Sequence, residues 1–266
     1  MAKPLIDIIR SSINIKEREG IKKYRNNNFT EAVQLLWEAR EQRSLIKNPL
    51  RKKTLGEKSF SALSKSLFNT GNFGDASTVL HEAVESYPRN HLFLKNLAYS
   101  LNALGKFKEA KDYLRGVDIA MNTYDPSIAC SYYKNLGCSL LGQGKLDLAK
   151  EVLDDAIRKR HSDFKEDYLP AYALRGDAHR LMGEFEEARQ DYEIVKKEFL
   201  DLRQKKDAHI STEKYLAAIR AIRGLTIIGG GKNLITDAEK SWKKEAIEKG
   251  VFSSTLTVEN YFRHFK

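Results

Sequence analysis

The chain has 266 residues, 41% hydrophobic and 31% charged, with five prolines, two cysteines and a formal net charge of +10. This is the composition of a folded chain large enough for one large or two small domains, not of a disordered polymer. No apolar run approaches the roughly 18–20 residues of a membrane span, and residues 4–9, between Lys3 and Arg10, are too short for the apolar core of a signal peptide; the expectation is a cytoplasmic protein without membrane contact.

Along the chain one short pattern recurs: a small or amide residue, a polar residue, Phe or Leu, two further residues, then Ala. It occurs as Asn27-Asn28-Phe29-Thr30-Glu31-Ala32, Gly71-Asn72-Phe73-Gly74-Asp75-Ala76, Gly105-Lys106-Phe107-Lys108-Glu109-Ala110, Gly144-Lys145-Leu146-Asp147-Leu148-Ala149 and Gly183-Glu184-Phe185-Glu186-Glu187-Ala188. Successive copies lie 44, 34, 39 and 39 residues apart. Each copy sits between two segments with helical apolar spacing, such as Phe60, Leu63, Leu67 before Gly71 and Ala76, Leu80, Ala83 after it. The glycine permits the left-handed conformation that ends the first helix. The alanine lets the second helix approach closely. A helix pair of this kind cannot bury its apolar stripes alone, so it stacks on its neighbours.

The segment after Leu202 does not repeat. Ser211-Thr212-Glu213 predicts a capped helix start, with Tyr215, Leu216, Ile219, Ile222 and Leu225 on the apolar side. Gly229-Gly230-Gly231 ends that helix. The glycines and Lys232 lack the spacing of a phosphate-binding loop, and Asn233 stands where Ser or Thr is required. A second helix is expected over 234–249, with Trp242 and Ile247 inward and Gly250 as its stop, and a short final helix over 258–264. Cys130 and Cys138 are assigned to one helix, eight residues apart. Their Cα atoms then lie roughly 12 Å apart, beyond the reach of a disulfide, and two thiols alone make a poor zinc site.

These residues resemble the tetratricopeptide repeat (TPR). Tyr133-Lys134-Asn135-Leu136-Gly137 with Leu140 matches the first half of the family pattern. Tyr172, Gly176, Gly183, Phe185, Ala188 and Tyr192 match another copy, and Pro88 supplies a closing proline. The repeats fall at 13–46, 57–90, 91–124, 130–163 and 169–202. The first rests on Gly20, Phe29, Ala32 and Ala39 only. Arg175 replaces the usual Leu, and residues 125–129 and 164–168 are additions between repeats. The resemblance implies an all-α, right-handed α-solenoid of helix-turn-helix repeats. Its expected parts are basic N-terminal helices with a degenerate repeat (1–56), four repeats (57–202) and a basic C-terminal helical cap (203–266).

In that family the first helix of each repeat lines a concave groove. The positions that face it here include Lys65, Asn69, Lys95, Asn96, Tyr99, Asn102, Lys134, Asn135, Asp177 and Arg180. Asparagine carries both a donor and an acceptor and so suits the backbone of a peptide, and lysines attract acidic groups. The Lys/Asn carboxylate clamp of chaperone-binding relatives does not fit: Lys95 and Asn135 match it, whereas Tyr99, Pro170 and Leu174 do not.

Charge is uneven. Residues 1–56 carry +7, 57–202 carry −3 and 203–266 carry +6. The basic clusters are Lys22, Lys23 and Arg25; Arg51, Lys52 and Lys53; and Arg203, Lys205 and Lys206. The six histidines are dispersed, and no catalytic, cofactor or metal spacing occurs. The leading functional expectation is a scaffold or adaptor that binds a protein or peptide in the groove. The alternatives are contact with nucleic acid through the basic ends and a receptor for a peptide signal.

Overall fold

The computed structural model describes residues 2–45, 55–118, 126–158, 168–205, 210–231, 236–249, 251 and 255–262, and these form helices and turns. The helices are α1 (Ala2–Arg25), α2 (Phe29–Ser44), α3 (Glu57–Asn69), α4 (Phe73–Ser86), α5 (His91–Ala103), α6 (Phe107–Asp118) and α7 (Pro126–Gly142), followed by α8 (Leu146–Arg158), α9 (Leu169–Met182), α10 (Phe185–Gln204), α11 (Thr212–Ile228), α12 (Asp237–Glu248) and α13 (Thr255–Phe262). The architecture is therefore the expected all-α, TPR-like solenoid of sequentially paired helices. The chain divides into two compact units, Met1–Phe93 and Leu94–Lys266.

The recurring pattern is the turn inside each pair. Gly71, Gly105, Gly144 and Gly183 have φ between 72° and 83°, and Asn27, the equivalent residue of the first copy, has φ 58°. Each turn closes with the same two backbone bonds. At Gly71 these run from Gly71 N to Phe68 O (3.0 Å) and from Asn72 N to Leu67 O (2.8 Å), which is the Schellman arrangement. The next residue, Phe29, Phe73, Phe107, Leu146 or Phe185, begins the second helix. The alanine three places on is fully buried in all five copies.

Close approach is also built into the first helix of each pair. Gly20, Ser64, Ala98, Gly137 and Gly176 hold equivalent places. A Cβ on Gly137 would stand 2.5 Å from Leu153 Cγ, and one on Gly176 2.7 Å from Tyr192 Cε1. Arg175, at the usual Leu position, is paid for by a second departure. Its guanidinium donates twice to buried Asp191 (2.9 and 2.6 Å) and once to Asp154 (2.6 Å), and it stacks over Tyr172. A packing residue has become a bidentate ion pair.

In the first unit, α1 packs on α2 and α3, and α3 on α4. Phe60, Tyr87 and Phe93 form an aromatic trio with centroids 6.0–6.2 Å apart. In the second unit, α11 is buried on nearly every side because it contacts α9, α10 and α12. A helix covered all round belongs to an interior, not an end.

Three details of the C-terminal region differ from expectation. Ser211 is the N-cap of α11, yet its side chain makes no cap bond. The start of α12 is set by Thr236, whose hydroxyl accepts from Glu239 N at 3.1 Å. The final helix begins at Thr255, three residues before the predicted start; its expected end at 264, the Gly250 stop and residues 232–235 lie outside the described residues. Trp242 is buried and Ile247 half-buried, as the spacing implied. Cys130 and Cys138 lie on α7 as buried thiols.

Gly183→Ala places a side chain at positive φ and should cost about 1 kcal/mol. Gly74→Ala, in the first turn of α4 with open space around the new methyl, should gain about 0.5 kcal/mol. Urea unfolding of the two full-length variants reads both signs.

Candidate peptide-binding groove

In the second unit, α5, α7, α9 and α11 each turn one stripe toward a common hollow. The stripes are Tyr99, Asn102 and Ala103; Lys134, Asn135 and Cys138; Pro170, Ala173 and Leu174; and Glu213, Leu216, Ala217 and Arg220. Residues three and four apart share a helix face, so the shared hollow follows from their spacing. Tyr261 of α13 also lines it, and the space inside is about 20 Å³, room for one water.

Several of these side chains are used within the fold. Asn102 donates to Asn135 O (2.9 Å), Asn135 donates to Lys95 O (3.2 Å), and the Ser139 hydroxyl donates to Asn102 Oδ1 (2.8 Å). These amides tie α5 to α7. Lys134 is buried; its ammonium donates to Glu213 at 2.5 Å and stands 5.3 Å from the centre of the Tyr99 ring. Behind this pair lies a second network. Asp177 accepts from Tyr192 OH (2.6 Å) and from Arg220, both buried. Burial, reinforced by Asp177, pushes the Tyr192 hydroxyl pKa up. Burial likewise raises the Cys138 thiol to about 12, which leaves it inert at neutral pH.

The structure thus brings together Tyr99, Asn102, Lys134 and Asn135 of the expected groove residues. Lys95 is half-buried nearby and contributes to the field at Glu213. Asn96 is buried, and its amide nitrogen finds no acceptor among the described residues. Arg180 lies beside Asp177 at 3.9 Å. Lys65 and Asn69 lie half-buried on α3, in the first unit. Glu213, Arg220 and Tyr261 were not foreseen. The spacing of 213, 216, 217 and 220, and two arginines within the largely apolar run 215–225, were the available signals.

The tetratricopeptide repeat family pattern matches residues 61–123 and 134–199. The chain belongs to the tetratricopeptide repeat family. Proteins of this family act as protein-interaction scaffolds and are generally non-catalytic. No curated protein matches the sequence. Similar solved structures include MamA, from residue 41 to its end, of Desulfovibrio magneticus RS-1, 16% identical with a TM-score of 0.51 over 74% of this chain and 97% of that one. Another is PilW, described as a type IV pilus biogenesis factor, 15% identical with a TM-score of 0.53 over 89% and 92%. At these identities the likeness is one of fold.

The basic ends of this TPR chain divide into two groups. Lys22 and Arg25 are exposed at the end of α1, whereas Lys23 pairs with Glu31. Arg203 pairs with Glu245 at 2.5 Å, and Lys205 is exposed. Arg223 and Lys243 are held by Glu239 and Glu259. Arg51, Lys52, Lys53 and Lys206 lie outside the described residues. Among those described, no helix is long and apolar enough to cross a membrane.

Burial raises the pKa of Glu213, but Lys134, Lys95 and Lys214 outweigh it and hold the carboxyl below its ordinary range. A carboxyl depressed on folding adds stability that is complete above its unfolded pKa, about 4.3. That stability is lost as pH falls through the folded pKa. Glu213→Gln should therefore cost about 1 kcal/mol at pH 7, a figure reduced for the partial exposure of Glu213. The gap to the unaltered chain should close as pH drops from 5 toward 2, as read by urea titrations; a gap constant to pH 2 would contradict the pairing.

Proposed function

We propose that the chain is a scaffold that holds a protein partner, through a peptide segment, against the stripes of α5, α7, α9 and α11. The observation that carries this is the convergence of Tyr99, Asn102, Lys134, Asn135, Glu213 and Arg220 on one hollow. Rigid helices set these polar groups in an otherwise apolar wall, the arrangement by which binding sites combine affinity with orientation. Lys95, half-buried beside the hollow, favours a partner segment that carries acid groups. The chain acts by binding, with no step of catalysis.

Nucleic acid is the weaker reading. Of the C-terminal cations, Arg203, Arg220, Arg223 and Lys243 already lie on carboxylates of the chain itself, which leaves less charge for phosphates. Exposed Lys22 and Arg25 on α1, and Lys205, Lys240 and Lys244 near the other end, are among the residues that favour it.

A photo-crosslinking residue at position 95 of the full chain should label a protein in cells, in a product that survives nuclease. The same residue at exposed position 151 on α8 should give little. Labelling that vanishes on nuclease treatment, or is equal from both positions, would remove the groove reading.

A further inference from the structure

α13 has the features of a ligand. It is eight residues long, well below the length at which a helix sustains itself in water, so its conformation depends on what it lies against. Its buried residues, Val258, Tyr261 and Phe262, follow i, i+3, i+4, the stripe by which an amphipathic helix anchors in a groove. Tyr261 joins Tyr99, Lys134 and Asn135 around the hollow. Phe262 faces the guanidinium groups of Arg223, 4.5 Å from the ring centre, and Arg220, at 5.4 Å. Beside this stripe, Glu259 meets Arg223 at 3.1 Å and also pairs with Lys243. The wall that α13 covers therefore combines an apolar floor, two aromatic-facing arginines and a cationic rim.

We propose that the groove of the second unit is a receptor for an amphipathic helix of this chemistry, and that α13 occupies it as a resident competitor. The external helix carries an apolar residue, an acid at the next place, and aromatic residues at the third and fourth places beyond the first. This inference rests on the scaffold reading above and names the kind of partner. Six residues, 249–254, join α12 to α13. Rebinding of α13 is therefore intramolecular, at an effective concentration on the order of millimolar. A partner in solution meets a groove that is open only part of the time, and its apparent affinity falls by that fraction. A partner displaces α13 by exceeding it in affinity or in local concentration.

The test uses a fluorescent peptide of residues 253–266 and the full-length chain, with binding read by anisotropy. Tyr261→Ala/Phe262→Ala in the chain should raise affinity for the peptide at least about tenfold over the unaltered chain, because the resident helix no longer competes. Circular dichroism checks that the altered chain is folded. Glu259→Lys in the chain leaves every apolar contact in place and must shift affinity in the same direction. Glu259→Lys in the peptide should weaken binding. Equal binding by all three chains, or binding by none, overturns the proposal. A dimer of the unaltered chain that the peptide dissolves overturns it too, since the occupant would then be a second copy. Peptide capture by the altered chains with no protein labelled from position 95 would support α13 as occupant and remove the scaffold reading. A protein labelled from position 95 without peptide capture would do the reverse.

Discussion

Tyr192 occupies space that two glycines leave for it. A Cβ on Gly176 of α9 would collide with its ring, as would one on Gly224 of α11. The ring therefore sets how closely α9, α10 and α11 approach. Its hydroxyl donates to Asp177, Asp177 pairs with Arg220, and Arg220 faces Phe262 of α13. A packing position of the repeat is thus connected, contact by contact, to the groove and to the helix that covers it. In a close-packed interior such a chain has little slack, and its charged members are stable only while each keeps its partner.

This network takes part of the charge of the basic C-terminal segment out of reach of a partner. Net charge counts residues, whereas binding to phosphate needs cations that are exposed and available. Arg220 and Lys243 are buried, and each meets a carboxylate. At the N-terminal end, Lys16 pairs with Glu38 at 2.6 Å and Arg43 with Glu17 at 2.7 Å, tying α1 to α2. These cations are thus part of the internal structure of the two units.

The repeat was legible because it is local. Backbone conformation at Gly71, Gly105, Gly144 and Gly183, close approach at the recurring alanines, and the 3.6-residue apolar spacing are each written in a few consecutive residues. Asn27 keeps the left-handed turn and so preserves the degenerate first copy. The groove was half legible. Family positions led to Tyr99, Asn102, Lys134 and Asn135, but whether an asparagine faces a partner or the next helix depends on distances between helices, and Asn102 and Asn135 bridge α5 and α7. Glu213 and Tyr261 were not legible, since their places depend on distant contacts: Glu213 on Lys134, 79 positions away, and Tyr261 on Arg220 of α11. A short helix such as α13 has no fate of its own until the surface that receives it exists.

If α13 lies in the groove as part of the folded second unit, its backbone amides are shielded from solvent. Amide hydrogen exchange across residues 255–262 of the full chain tests it most directly. These amides should be protected well above the same residues in a free peptide, and should lose that protection in Tyr261→Ala/Phe262→Ala. Exchange of 255–262 at free-peptide rates in the unaltered chain would contradict it.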